Sequence, residues 1–306
     1  MGDQPLDAVT GAFGYTGRAI AERLLGGGRG VRTLTNHPSP ADPLADLLEL
    51  APMDFDEPAA LAASLEGVDT LYNTYWVRFE RRSVTFDRAV EASRTLFEAA
   101  RAAGVRRVVH VSIVNADERS PLLYFRGKGR VERALLESGL EAAIVRPTVI
   151  CGERDILIHN IAWLLAHLPV FGIGGDGRYP IQPVIVDDVA RIAVEAAMAP
   201  AGTIVDAVGP ETFAFADLVR LIRAEIHGPA RIVSMPGWAI MAGSALLGRI
   251  VGDVVLTPDE LHGLEAGLLV SRDVPTGRIR LSDWLHDHRH DLGRRYANEL
   301  RRHFAG

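Results

Sequence analysis

Cysteine is nearly absent: Cys151 is the only one in 306 residues. One thiol forms no intramolecular bridge and supplies neither a CxxC pair nor a thiolate zinc cluster, so a disulfide scaffold drops out and a reducing cytoplasm is the expected setting. Long apolar runs are scarce too. The uncharged stretch Pro236 to Gly248 ends at Arg249 and falls short of the roughly 20 residues that a membrane-spanning helix needs. The N-terminal MGDQPLDAVTGAFG has no basic segment followed by an apolar one, and Leu6 stands where a myristoylation signal wants Ser or Thr, so neither export nor lipidation is expected. Positive charge is not in excess: 33 Lys and Arg against 39 Asp and Glu leave a net charge of -6. A nucleic-acid binder would instead show a concentrated basic face. What remains, 48% hydrophobic and 24% charged, is an ordinary globular balance that folds without metals or bridges.

Through the first half, short β-like runs alternate with longer helical patterns, the mark of a parallel sheet wrapped by helices. Strands are expected at Leu6 to Thr10, Val31 to Thr35, Thr70 to Thr74, Arg107 to Ser112 and Ala142 to Val145. Helices are expected at Tyr15 to Leu25, Pro58 to Leu65, Val84 to Ala103 and Leu122 to Glu137, each stopped near a glycine. This predicts a Rossmann-type, doubly wound α/β fold whose ligands lie beyond the carboxyl ends of the strands. After Pro147 the rhythm changes, with glycines from Gly172 to Gly177, a strand expected at Ile181 to Val186 and a helix at Asp187 to Ala199. We expect a dinucleotide-binding domain over 1–155, its sheet completed near 181–207, and a mainly substrate-binding lobe over 156–306. Pro236 to Gly248, with Trp238 and Met241, is expected to be a helix walling an apolar cavity, or a core helix remote from the site.

The first βα junction, Thr10-Gly11-Ala12-Phe13-Gly14-Tyr15-Thr16-Gly17, carries glycines at three-residue intervals between an apolar strand and a helical pattern. Gly11 permits a tight turn, Gly14 lets backbone approach a pyrophosphate, and Gly17 lets helix and strand pack closely, while N–H groups at the helix start face the anion. Phe13, Tyr15 and Thr16 complete this candidate cofactor loop. The second strand's end, Leu34-Thr35-Asn36-His37, lacks the acid that would hold an adenosine 2′-hydroxyl. With Arg18 after the last glycine and Asn36 and His37 near the expected 2′ position, NADP is favoured over NAD. Asp54 is either an adenine contact or a loop carboxylate.

Ser112 ends a strand, Tyr124 follows twelve residues on, and Lys128 lies one helical turn beyond. Tyrosine is a weak base at its reference pKa near 10, but an adjacent ammonium and an oxidised nicotinamide both favour the phenolate. Ser112 is placed to hydrogen-bond the oxygen that exchanges a proton with Tyr124. The alternative is a core tyrosine followed by a surface lysine.

Taken together, the TGAFGYTG loop, HVSIVNA, YFRGK and IVRPTVICGERD resemble the extended or atypical branch of the short-chain dehydrogenase/reductase superfamily. The chain is most similar there to bacterial NAD(P)-binding proteins of the epimerase/dehydratase type, akin to the nucleotide-binding accessory subunit of respiratory complex I and to NmrA-like proteins. GDGRYPIQPVIVDDVA, PTGRIRLSDWL and LGRRYANELRRH extend the likeness over nearly the whole chain. The resemblance implies that Gly11, Gly14 and Gly17 hold the pyrophosphate, that Ser112 and Tyr124 touch substrate, and that Lys128 grips the nicotinamide ribose. Thr74 and Pro147, at strand ends, join the expected cofactor contacts; Tyr75, Trp76 and Asn160 are the expected substrate contacts. Two departures argue against a large sugar-nucleotide substrate: the bulk of Asn73-Thr74-Tyr75-Trp76 and the short Ser-to-Tyr segment.

The expected function is an NAD(P)-dependent oxidoreductase of small or apolar carbonyl or alcohol substrates. Its rivals are an epimerase or dehydratase that retains its cofactor, and a dinucleotide-binding sensor or assembly protein without turnover. His286, His288 and His290 lack a third ligand and read as a solvated polar turn, so no metal is expected. Asp187 and Asp188 read as helix-start carboxylates. The arginines of GRRYANELRRH interleave with Leu292, Tyr296 and Leu300, which reads as the wet side of an amphipathic helix, with membrane-surface contact as the lesser alternative. A monomer or homodimer is expected.

Overall fold

Arg107-Val108-Val109-His110-Val111 is buried at every position, which only a central strand covered on both faces satisfies. The computed structural model describes residues 5–300, and its elements begin with β1 (Leu6–Thr10), α1 (Tyr15–Gly26), β2 (Gly30–Leu34), a 3-10 turn (Pro43–Leu47), β3 (Glu49–Ala51), α2 (Pro58–Ala63), β4 (Val68–Asn73), α3 (Phe86–Ala102), β5 (Arg107–Val111), α4 (Leu123–Glu137) and β6 (Glu141–Pro147). They continue with β7 (Val149–Cys151), α5 (Leu157–His167), β8 (Val170–Gly174), β9 (Pro180–Ile181), β10 (Pro183–Ile185), α6 (Val186–Ala196) and β11 (Thr203–Ala207). Last come β12 (Phe213–Ala214), α7 (Phe215–Glu225), β13 (Arg231–Met235), α8 (Gly237–Val251), α9 (Pro258–Glu265) and α10 (Leu281–His288).

Two compact units share these elements: Met1–Pro147 with Val186–Ala207, and Thr148–Ile185 with Val208–Gly306. The first holds a seven-stranded sheet in the order β11-β6-β5-β4-β1-β2-β3, parallel at every pairing. The fold is thus Rossmann-type α/β. The order reverses between β1 and β4, opening a crevice at their carboxyl ends. Helices α1 and α6 pack on one another, as do α3 and its neighbours α2 and α4. Leu61, Leu65, Val90, Leu96, Phe97, Val131 and Leu135 form one core with Leu71, Val108 and Ile144 of the sheet.

The chain returns to this unit through α6 and β11, and Arg107 fastens the return. Its guanidinium donates to the carbonyls of Ala196 (3.3 Å), Ala197 (2.9 Å) and Ala199 at the end of α6, and to Glu141 at 2.9 Å. Helix carboxyl ends leave carbonyls unpaired, and a buried cation satisfies them.

The second unit is built of strand pairs: β7 with β10 and β8 with β13, both parallel, and β9 with β12, antiparallel. Ile158, Leu165, Leu218, Ile222, Trp284 and Leu285 are among its core residues. Two expectations need correction there. The single strand expected over Ile181 to Val186 is broken at Gln182 into β9 and β10, and Pro183, which has no N–H to donate, marks the switch of partner. The amphipathic helix expected through Leu292 and Tyr296 does not form there: residues 293–298 are turn or irregular, and helical structure starts at Glu299. Gly293 sits at φ +71°, Ala297 gives both backbone groups to Asn160, and Asp253 accepts the N–H groups of Glu299 and Leu300. These commitments are incompatible with helical hydrogen bonding across the stretch. Residues 301–303 of that expectation lie outside the described residues.

Arg107→Met is expected to lower stability by about 2 to 3 kcal/mol, since it strands several carbonyls of one helix end. The drop in urea midpoint on equilibrium unfolding checks this, and an unchanged midpoint would remove Arg107 as the fastener.

Candidate active site

At the crevice, backbone shape comes first. Gly11 adopts φ +65°, and its carbonyl receives the Gly14 N–H at 2.8 Å. A Cβ on Gly14 would lie 3.0 Å from that oxygen, and one on Gly17 would run into it. The N-terminus of α1 has no side-chain cap and no acid in its first turn, so its N–H groups and positive dipole end suit a pyrophosphate. Phe13, Tyr15 and Thr16 are half-buried at this helix head. These residues therefore fit the diphosphate of a dinucleotide.

A polar seam ties the carboxyl ends of β1, β4 and β5 together. Thr10 Oγ1 donates to Asn73 Oδ1 (3.3 Å) and accepts from the Thr74 N–H (2.7 Å), while Thr74 Oγ1 donates to the Thr10 carbonyl (2.6 Å). Asn73 Nδ2 reaches His110 Nδ1 at 3.1 Å, which leaves the ring proton on Nε2, a buried atom with no partner. Burial first, and Lys128 second, hold the His110 pKa well below its ordinary value, so the ring is neutral. Sequence reasoning missed this seam. Its signal was a histidine among the valines of a buried strand, which demands a partner.

Ser112 continues β5, with its N–H on the Val145 carbonyl at 2.7 Å. The side chain is 4% exposed by residue, and Oγ is buried without a hydrogen-bond partner. Lys128, 3% exposed, donates from Nζ to the Val111 carbonyl at 2.9 Å, which brings the ammonium to the residue beside Ser112. Burial drives its pKa from 10.5 down to about 7, against the pull of Glu132. Tyr124 lies one turn earlier on α4, edge-on to Trp76 at 6.0 Å and to Phe86 at 5.8 Å between ring centroids.

Trp76 occupies the centre of this cluster. Its ring lies 4.8 Å from Lys128 Nζ and stacks on Phe86 at 5.8 Å. Indole Nε1 is buried without a partner. Gly127 makes room: a Cβ there would come 2.8 Å from the indole. Tyr75 is turned to Phe55 at 4.9 Å, and burial raises its pKa.

Other expected contacts are already engaged. Arg18 pairs with Glu22 at 3.0 Å and with Asp42, and Asn36 exchanges two bonds with the Met53 backbone at 2.6 and 3.0 Å. His37 is exposed. Asp54 accepts from the Asp56 N–H at 2.9 Å, closing its own turn, and the Pro147 carbonyl accepts from Val114 at 2.9 Å. Asn160 lies in the second unit, as the expected substrate lobe requires, and its buried amide bonds to both backbone groups of Ala297 (3.0 and 2.7 Å). His286 and His288 end α10, where His286 meets Glu225 at 3.2 Å and His288 stacks on Trp284, and the expected polar turn starts after them at Arg289 and His290. Among the described residues no cluster of three His, Cys, Asp or Glu is placed to hold a metal, and no helix is long and apolar enough to cross a membrane.

The buried ammonium makes a pH prediction. Its folded pKa, about 7, lies below the unfolded value near 10.5, so between those values the unfolded chain binds more protons and stability rises with pH. The burial penalty is full below pH 7. Lys128→Met is therefore expected to melt above the parent at pH 6, with the gap closing toward pH 10; a gap independent of pH in parallel melts would contradict the buried charge.

Comparison with known proteins follows the same lines. Residues 11–156 match the NAD(P)H-binding family. The chain is 27% identical over 282 residues to mitochondrial NADH dehydrogenase (ubiquinone) 1 alpha subcomplex subunit 9 of Arabidopsis thaliana, covering 86% of this chain and 70% of that protein. Its fold is similar to an NADPH-dependent quinone oxidoreductase of Escherichia coli solved with NADPH (TM-score 0.73, 20% identity, 94% of this chain and 99% of that one). It is also similar to a nucleoside-diphosphate-sugar epimerase of Staphylococcus aureus (TM-score 0.72, 17% identity, 92% and 100%). With a glycine cradle that fits a diphosphate and a parallel sheet that opens between β1 and β4, the first unit is similar to the NAD(P)H-binding proteins whose family it matches over residues 11–156.

Proposed function

We propose that this protein is an NAD(P)-dependent oxidoreductase of small or apolar carbonyl and alcohol substrates, working through Ser112, Tyr124 and Lys128 in a cytoplasmic setting, with NADP as the favoured dinucleotide. One observation carries the reading: the unpartnered buried hydroxyl of Ser112 stands next to the carbonyl that holds the Lys128 ammonium. A buried hydroxyl without an acceptor costs free energy unless a ligand completes it.

The dinucleotide, when bound, supplies or accepts the hydride. Ser112 Oγ–H donates to the substrate oxygen and orients it. Tyr124 gives its phenolic proton to that oxygen as a carbonyl becomes an alcohol, and takes it back in the reverse direction. Lys128 favours the phenolate by its charge, and the aromatic wall of Trp76, Phe86 and Tyr124 keeps water out and admits flat, apolar substrates such as ketones, aldehydes and quinones.

A second reading is dinucleotide binding without turnover, and Trp76 favours it, because the indole covers the ammonium that would hold the nicotinamide ribose. The relatives include a respiratory-complex subunit, which agrees with that reading. Tyr124→Phe separates the two. Across a panel of ketones, aldehydes and quinones with NADPH, turnover should fall about 10²- to 10⁴-fold with dinucleotide affinity nearly unchanged. Parental turnover in the variant would end the proton-transfer assignment, and tight dinucleotide binding with no turnover on any substrate would favour the second reading. Dinucleotide retained at one per chain through purification would point to an epimerase or dehydratase.

The preference for NADP rests on Arg18, whose charge is shared with Asp42 and Glu22. Asp42→Asn keeps an oxygen for the Leu44 N–H, which Asp42 Oδ1 caps at 3.0 Å, while releasing the guanidinium. Affinity for NADPH should then rise about two- to fivefold with NADH unchanged. Equal changes for both, in fluorescence titrations, would show that Arg18 does not read the 2′ position.

A further inference from the structure

Helix α8 does not bury a single residue. Trp238 is 76% exposed, Leu246 61% and Ile250 75%, so the expected cavity wall faces outward instead. At 100° per residue, Trp238, Ala242, Ala245, Leu246, Arg249 and Ile250 fall on one face, and every one of them is exposed. The other face meets the protein, where Ile240 Cδ1 sits so close to Gly172 of β8 that a Cβ there would lie 2.8 Å from it. A surface helix normally turns polar residues to water. This one turns an apolar stripe outward.

Charge along the helix itself has one sign, although Asp253 follows it and α9, with Asp259, Glu260 and Glu265, packs at its start through Leu261. Residues 226–252 contain no Asp or Glu, although the chain carries 39 of them and a net charge of -6. The segment's cations are Arg231 and Arg249, with His227, and both arginines are exposed. The stripe's size also selects its partner. Fifteen residues make a helix about 22 Å long, and at about 10 Å wide the face covers about 220 Å². A stable protein dimer needs about 800 Å² from each partner. A bilayer sets no such threshold, because a helix lying in the interface gains from each apolar side chain that enters and from each basic one that meets a phosphate. Tryptophan favours that same depth.

We propose that α8 seats the second unit on an anionic lipid surface, with Trp238, Leu246 and Ile250 entering at headgroup depth and Arg249 meeting a lipid phosphate. The body of the protein supplies the polar side that a free amphipathic helix would carry itself.

Flotation of the full chain with vesicles of phosphatidylcholine, alone or with one quarter phosphatidylglycerol, tests this. The parent should float with the anionic vesicles. Leu246→Glu with Ile250→Glu should lower the partition at least tenfold while melting with the parent, since both side chains are exposed. Arg249→Ala should lower it about fivefold on anionic vesicles and little on neutral ones. Brominated lipid should quench the parent's fluorescence, and Trp238→Phe should lose that quenching although Trp76, Trp163 and Trp284 remain. No flotation, or flotation that survives the double glutamate variant, overturns the proposal. So does a dimer in light scattering that the double variant splits, which would make the face an interface between copies of the chain.

Discussion

The first unit turns on one buried ammonium. Lys128 is almost fully enclosed, yet its Nζ keeps a carbonyl at 2.9 Å and an indole face at 4.8 Å. An unpaired cation in such a place would cost several kcal/mol, and the carbonyl and indole explain why α4 and the loop after β4 take the shapes they do. Gly127 exists beside it so that Trp76 can come close, and Phe86 at the start of α3 stacks on the far side of the indole. Lys128 thus touches both the end of β5 and an aromatic wall drawn from the starts of α3 and α4.

The two ends of the sheet do different work. At the amino ends, Arg29 clamps Asp7 and reaches Asp69 at 3.3 Å, while Arg106 holds Asp69 at 2.9 Å and Glu141 at 3.3 Å. Every member has its counter-charge, so nothing there is left to bind. At the carboxyl ends a single cation, Lys128, stands among neutral groups, and the pattern is incomplete. Thr10, Asn73 and His110 bond in series, yet His110 Nε2, Ser112 Oγ and Trp76 Nε1 stay without partners. Satisfied charges stabilise, whereas unsatisfied polar atoms in a low dielectric await a ligand. The contrast marks the carboxyl ends as the candidate site without reference to any motif.

Much of this was legible in the sequence, for local reasons. Strand and helix spacing, the glycine junction and the one-turn separation of Tyr124 from Lys128 are short-range properties, and the sheet follows from them. The chain's pairings across distance were not legible. Asn36 and Asn160 both look like free amides, and both are spent on backbone, of Met53 and Ala297 respectively. Arg18 looks like an open anion ligand because Asp42 stands 24 residues away. The short edge strand β3 carries too little periodicity to register, and it forms because β2 offers it a ladder. A polar side chain in a sequence says what it can bond, and only the fold decides which neighbour arrives first.

Trp76 brings the competing readings to one atom group. With the indole in place, the ammonium is shielded on one side and bonded on another, an arrangement suited to a resting protein. A ribose hydroxyl that displaced the carbonyl or the indole would meet an ammonium already desolvated, so less of its attraction would be lost to water. The same indole carries an unpartnered N–H, which a substrate oxygen or a dinucleotide amide would satisfy. On the proposed reading, turnover and binding alone are separated by a competition between Trp76 and the ligand for the face of Lys128. The energies involved are small: a desolvated cation–π contact is worth about 2 kcal/mol, and a charge-assisted hydrogen bond about 1.5 to 3 kcal/mol. The two are close enough that one packing change in the wall, such as the loss of the Gly127 vacancy, would tip the site from one behaviour to the other.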